Sequence, residues 1–390
     1  MGDANVANKR KTPFPNFKST EPPETPPAAL GFHLPAEWEP HEATWITWPH
    51  NKGDWPGKFS PIPWVYGEIV RKITPGERVC ALAPSSIHEI LASKVLRQVG
   101  VDAARVQFFR IPSNRGWTRD VGPIFLRRAP AAAIPADSES GGPSAGAAEL
   151  AVVRFRFTGW AKYQEWRLDD GVAQRAAQAL GCRLFSARAG DYDFVLEGGA
   201  IEVNGQGTVV TTEECLLDQA TQVRNPGLSR EQVEAALRDN LGVTNVLWLG
   251  RGIAGDDTHG HVDDLCRFVN SRTLVLSRES NPDDPNYRAL EENRERLEDA
   301  RLEDGSKVQV ARLPMPAPLY FDGQRLPASY ANFYISNAAV LVPTFNDPND
   351  RVALGTLAEL IPDRPVVGIH AIDLVWGLGT IHCLTQPQPK

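Results

Sequence analysis

Paired cysteines are what this chain most plainly lacks. Its five cysteines, Cys80, Cys182, Cys215, Cys266 and Cys383, are odd in number, widely spaced and contain no Cys-x-x-Cys pair. That argues against a disulfide framework or a structural zinc site and favours a reducing compartment. No apolar run approaches the roughly 20 residues of a membrane span. The N-terminus has no apolar signal core, and Val6 stands where a myristoylation signal wants Ser or Thr. The expected location is therefore cytoplasmic, with no membrane partner. Basic stripes are missing too: the formal net charge is −7, and no Lys/Arg-rich segment with interleaved aromatics offers itself to nucleic acid. An acidic surface suits a small cationic substrate, although many proteins are equally acidic. A homo-oligomer is compatible with all of this.

What is present is a globular composition, with 42% hydrophobic and 23% charged residues. Residues 1 to 28, rich in Pro, Lys, Thr and Asn, read as a disordered tail. Residues 129–148, rich in Ala, Pro, Gly and Ser, read as a flexible insertion within one domain spanning 29–390, because strand pattern resumes at Val152 to Phe157. Helices are expected at Trp64 to Ile73, from a Ser86 cap to Gly100, at Gly171 to Leu180, behind a Ser229/Gln232 capping box, at Asn286 to Arg301 and at Val352 to Ile361. Asn204-Gly205 signals a hairpin into Gly207 to Thr212. Strands and helices recur about five times, with paired strands beside each helix. That argues for an α/β protein of small units arranged radially, not a simple parallel sheet.

The densest run of acid-base groups is Ala254-Gly255-Asp256-Asp257-Thr258-His259-Gly260-His261-Val262-Asp263-Asp264. Read as a strand, it would point Asp257, His259, His261 and Asp263 the same way. Two imidazoles and two carboxylates in one row suit a cation, whether metal or organic. Three further segments carry polar groups in turn-rich settings. Asp120 lies in Trp117-Thr118-Arg119-Asp120-Val121-Gly122-Pro123, where on local sequence alone it reads more readily as a solvated turn residue than as a carboxylate held at a strand end. Glu197 precedes Gly198-Gly199 inside an apolar stretch, so it is either an edge residue or buried with a partner. The paired glycines suggest close backbone approach. Cys383 sits in a glycine-rich loop with Gly377, Gly379 and His382, poor core material and good site material. A thiolate there needs a cationic or hydrogen-bonding neighbourhood, which a cationic substrate could supply.

On these segments, together with Pro35-Ala36-Glu37-Trp38-Glu39-Pro40-His41-Glu42 and Ala331-Asn332-Phe333-Tyr334, the chain resembles the agmatine deiminases of the guanidine-modifying (pentein) superfamily. The resemblance implies a five-bladed α/β propeller of ββαβ-type units around a central active site. It also implies hydrolysis of agmatine to N-carbamoylputrescine and ammonia, with no cofactor and no metal. Carried over by position, Cys383 would be the nucleophile and His261 the general acid/base. Asp120 and Asp263 would grip the guanidinium, and Glu197 would pair with His261 and the substrate's nitrogens. Trp117 and Gly379 would border the substrate, and Asp256 or Asp257 would meet its amine end, with Glu213 and Glu214 as further acidic candidates. Phe157-Thr158-Gly159-Trp160-Ala161-Lys162-Tyr163 departs from the family pattern by one residue, in a loop expected to border the channel.

Two other chemistries remain at this point. Free or peptidyl arginine would undergo the same reaction but would want a basic clamp, for which Arg115, Arg119 and Arg251 are available. A zinc-dependent hydrolase using His259, His261 and Asp263 echoes the His-x-His-x-Asp pattern, but Asp264 stands where a further His would follow.

Overall fold

The computed structural model describes residues 17–20, 24–129 and 148–390. Nearly all of the expected insertion lies outside those residues, as does most of the expected tail. The described parts of the tail are not free of contacts. Phe17 packs edge-on against Trp166 at 5.8 Å and lies under Arg156, and Lys18 bridges to Tyr192.

Five small sheets carry the fold. In the first, Arg78–Leu82 lies between His41–Thr47 and Val106–Phe109, all parallel, and the C-terminal strand Thr385–Pro389 adds antiparallel to His41–Thr47. The other four share one plan. An antiparallel pair is followed by a helix, and then by a strand parallel to the second member of the pair. Their strands are Ile124–Arg128, Glu149–Arg154 and Arg183–Ser186; Glu202–Val203, Thr208–Thr212 and Asn245–Leu249; Cys266–Asn270, Thr273–Arg278 and Gln309–Pro314; and Tyr334–Ile335, Val340–Thr344 and Val366–His370. A parallel neighbour needs a crossover, and the helices Val172–Leu180, Arg230–Leu241, Pro285–Glu298 and Asn349–Leu360 supply it. The class is thus mixed α/β.

Local signals explain several elements. Ser229 and Gln232 make both halves of the capping box before Arg230–Leu241, and Gly242 ends that helix at φ 69°. The Asn204-Gly205 turn joins antiparallel strands, with Gly205 at φ 69°. Ser86, by contrast, is not a cap: its helix starts at Ser86 behind Ser85, which makes no side-chain capping bond. Trp45 and Trp48 are core filler, fully or almost fully buried among apolar neighbours.

One buried cation ties several units together. Arg267, fully buried, donates Nε to Glu202 at 2.8 Å and Nη2 to Glu37 at 2.8 Å, and Nη1 to the carbonyl of Phe333 at 2.7 Å. Removing it strands two buried carboxylates, which costs far more than the net worth of the pairs. Arg267→Met is expected to lose about 3–5 kcal/mol of stability, read as a lower urea midpoint. An unchanged midpoint would contradict this account of the core.

Candidate active site

The central run does not form a strand. His259 lies at φ 67°, Gly255 at φ 92° and Gly260 at φ 89°, so the segment turns repeatedly before a short 3-10 turn at Val262–Asp264. The Asp256 carboxylate holds the turns, accepting the backbone N–H groups of Thr258 at 2.7 Å, Gly260 at 2.7 Å and His261 at 3.1 Å. Side-chain alternation is lost, and the four groups scatter. His259 turns to Asp218 at 2.7 Å, with Glu214 at 3.8 Å. Asp257 is neutralised by Lys162 and by the Tyr163 hydroxyl at 2.6 Å. Only His261 and Asp263 point into the centre.

There they meet residues from distant stretches. Asp120 sits in a short helix, Thr118–Val121, and not at a strand end. Its Oδ1 accepts Gly199 N–H at 3.0 Å and its Oδ2 accepts Trp160 Nε1 at 2.9 Å. The His261 Nδ1 lies 3.8 Å from Asp120 and 4.0 Å from Asp263, and its Nε2 lies 3.6 Å from Glu197. Glu197 is buried beside Arg224 at 3.2 Å. Cys383, on the short helix Ile381–Leu384, receives Asn332 Nδ2 at 3.2 Å and lies 3.7 Å from Asp263 Oδ2. The structure thus brings Cys383, His261, Asp120, Asp263 and Glu197 together.

Glycines make this convergence sterically feasible. A Cβ on Gly199 would stand 2.6 Å from His261 Nδ1 and 2.9 Å from Asp120 Oδ1, and one on Gly198 would stand 2.1 Å from the Arg119 carbonyl oxygen. Gly379 gives Trp117 room, since a Cβ there would lie 2.8 Å from its ring. A cavity of about 190 Å³ opens over the sulfur, lined among others by Trp117, Asp120, Trp160, Tyr163, Gly379 and Cys383. Asp257 borders it with both oxygens engaged, while Asp256 is not among its lining residues. Glu213 pairs with Arg230 and Arg296, and Glu214 with the Gly252 N–H, so neither is a free carboxylate.

Several members of the site carried no predicted role. His382 Nδ1 is 2.6 Å from Asp263 and its Nε2 is 2.9 Å from Glu37, which also binds Arg119 at 2.7 Å. Asn332 also reaches Asp264 at 3.1 Å and receives Thr380 at 2.7 Å. Glu37 and Asn332 stand inside segments already singled out, and His382 adjoins Cys383. Arg224 had no local signal.

The electrostatics are lopsided. Burial pushes the Cys383 thiol well above its usual range, and the carboxylates of Asp263, Asp264 and Asp120 push it further, against the Asn332 hydrogen bond. Burial lifts Asp120 to about 6, opposed by His261 and reinforced by Asp263 and Glu197. Burial likewise raises Asp264, with Asp263 and Asp256 adding to it. Glu197 is held low despite burial, by Arg224 and His261. Asp263 is held low despite burial, chiefly by its hydrogen bond from His382. His261 rises well above the usual imidazole range, because Asp120, the neighbouring Cys215 and Glu197 outweigh the burial that favours its neutral form. The resting site therefore holds a protonated thiol, an imidazolium and an excess of carboxylate.

His259, His261 and Asp263 do not come together as a ligand set. The donor groups that approach within 4.8 Å among the described residues are Glu197, Cys215 and His261, and separately Asp263, Asp264 and Cys383. Glu197 in the first is already paired with Arg224.

Four ββαβ-like sheets beside a fifth, mostly parallel one, and a buried thiol ringed by carboxylates and an imidazole, define a protein built to work on a small planar cation. The chain belongs to the Porphyromonas-type peptidyl-arginine deiminase family, whose model matches residues 33–389. It is 34% identical to the agmatine deiminase of Pseudomonas aeruginosa over 390 residues, covering 94% of this chain and 98% of that one. Among solved structures, the agmatine deiminase of Enterococcus faecalis superposes with a TM-score of 0.82 at 30% identity, covering 94% of this chain and 98% of that one. A cysteine-to-serine variant of the C. jejuni agmatine deiminase with substrate bound superposes with a TM-score of 0.76 at 28% identity, covering 92% and 96%.

The charge pattern makes a direct prediction for the sulfur. Cys383 should react slowly with iodoacetamide at pH 8, and faster when a guanidinium compound occupies the cavity without blocking the sulfur, read by mass mapping of its peptide. Fast alkylation of the empty site, equal to that of an ordinary exposed thiol, would contradict the pattern.

Proposed function

We propose that this chain hydrolyses agmatine to N-carbamoylputrescine and ammonia through a covalent intermediate on Cys383. The single observation that carries the reading is the meeting of one buried thiol with Asp120, Asp263, Glu197 and His261, beside a cavity that Asp120 and Cys383 line. Near full-length similarity to agmatine deiminases supports it.

The chemistry follows from the site. A guanidinium is planar and a poor electrophile, so it must be held and its charge localised. Asp120 and Asp263 take its N–H edges, and Glu197 takes a further nitrogen. The arriving cation supplies the positive charge that the resting site lacks. The Cys383 thiol then loses its proton to solvent, and the thiolate attacks the central carbon, forming a C–S bond. The His261 imidazolium gives its proton to one nitrogen, the C–N bond breaks, and ammonia leaves a thiouronium on Cys383. Neutral His261 next takes a proton from water as its oxygen bonds to the carbon. The C–S bond breaks, the hydroxyl proton returns to the sulfur, and the urea product departs. Glu197, held ionised by Arg224, keeps His261 charged between turnovers.

The five sheets would be the blades of an α/β propeller whose inner loops carry these groups. In this reading residues 29–390 act as one catalytic domain, and the unpaired cysteines suit a cytoplasmic setting.

Ammonia release should be fastest from agmatine, slower from arginine and slowest from a blocked arginyl peptide, and Cys383→Ala should lower the rate by about 10³-fold or more. Because Asp120 must be ionised to hold the cation and titrates at about 6, kcat/KM for agmatine should fall more steeply with falling pH below 6 than above it, where ionisation of the Cys383 thiol alone still raises it. Preference for arginine or the peptide would move the assignment to that substrate. An undiminished rate in Cys383→Ala would end it.

A further inference from the structure

If agmatine is the substrate, its far end is a second cation that must find a partner in the same cavity, and the expected acids are spoken for. Asp256 is spent on backbone N–H groups and Asp257 on Lys162 and Tyr163. Of the remaining carboxylates lining the cavity, Asp120 belongs to the guanidinium. That leaves Asp54.

Asp54 lies in the 3-10 turn Lys52–Asp54, far in sequence from every other acid of the site. Its side chain is only 1% exposed. Its Oδ1 accepts Arg115 Nη1 at 2.8 Å, while its Oδ2 is buried with no hydrogen-bond partner among the described residues. A buried carboxylate oxygen left unpaired is costly and calls for an occupant. Burial lifts the Asp54 carboxyl to about 6, against the pull of Arg115 and of the Gly116 backbone N–H nearby. Around it the cavity wall is aromatic: Trp117, Trp160, Tyr163 and Trp376. Such a wall accepts methylenes and an ammonium and gives nothing to a carboxylate.

We propose that Asp54 is the specificity-determining residue for the substrate's distal ammonium, receiving it at Oδ2 while Arg115 holds Oδ1. Arg115 is held in turn. Its guanidinium stacks over the Tyr163 ring at 4.1 Å, and its backbone N–H is accepted by the buried Asp169 at 3.3 Å. Fixed and neutralised in this way, Arg115 is a poor clamp for the α-carboxylate of arginine. Of the other candidate clamps, Arg119 is committed to Glu37, and Arg251 is exposed and does not line the cavity. The pocket therefore selects ω-aminoalkyl guanidines over amino-acid guanidines by presenting an acid where arginine needs a base.

The test compares kcat/KM for agmatine, arginine and butylguanidine, which keeps the guanidinium and methylenes but lacks the amine. Wild-type enzyme should prefer agmatine to butylguanidine, and Asp54→Asn should cut that preference by about tenfold or more, mainly through KM for agmatine. Continued turnover of butylguanidine shows that the variant is folded. A preference that survives Asp54→Asn overturns the role of Asp54 and leaves the deimination reading standing. Failure of wild-type enzyme to release ammonia from any of the three overturns that reading, and this inference with it.

Discussion

The structure depends on a charge imbalance. Asp120, Asp263, Asp264 and Glu197 crowd one buried centre, and the cations built in against them are His261 and Arg224. In a dry interior such crowding holds groups in their neutral forms unless a counter-charge arrives. It explains why the Cys383 thiol stays protonated at rest, why Asp120 titrates late and why His261 stays charged. A shortage of positive charge links all three, and a guanidinium is the right shape and sign to supply it.

The surrounding scaffold exists to hold that imbalance in place. Glu37 is the junction: it contacts His382, Arg119 and Arg267, and through His382 it orients Asp263 beneath the sulfur. Each of these groups is buried and bonded to another, so none can relax away from the centre without stranding its neighbour. The paired glycines of the Gly198–Ala200 turn then let the backbone close over Asp120 and His261. Rigid positioning of this kind is what a reaction on a resonance-stabilised cation requires.

Much of this was legible in the sequence, because chemistry-bearing residues stood where packing gave them no reason to be. Cys383 among glycines, Glu197 before Gly198-Gly199, and the acid-rich run around His261 all announced themselves. The recurrence of strand pairs and helices pointed to repeated small α/β units, and among the described residues four sheets have that plan beside a fifth, mostly parallel one. The orientation of the central run was misread, because alternation assumes an extended backbone, and the left-handed turns at Gly255, His259 and Gly260 break it. Asp257, expected on one face with His261 and Asp263, instead pairs with Lys162 and Tyr163 at the cavity wall, and Asp256 braces the turn. Arg224, Arg267 and Asp54 went unnoticed for a different reason: each acts through a partner tens to hundreds of residues away, and no local pattern marks such a pairing.

The most direct measurement is the mass of the protein quenched in acid during turnover of agmatine. The account predicts an added mass equal to agmatine less ammonia, mapping to the peptide that carries Cys383 and absent from Cys383→Ala. Steady turnover with no such adduct under rapid quench, or an adduct that maps to Cys215 instead, would contradict it.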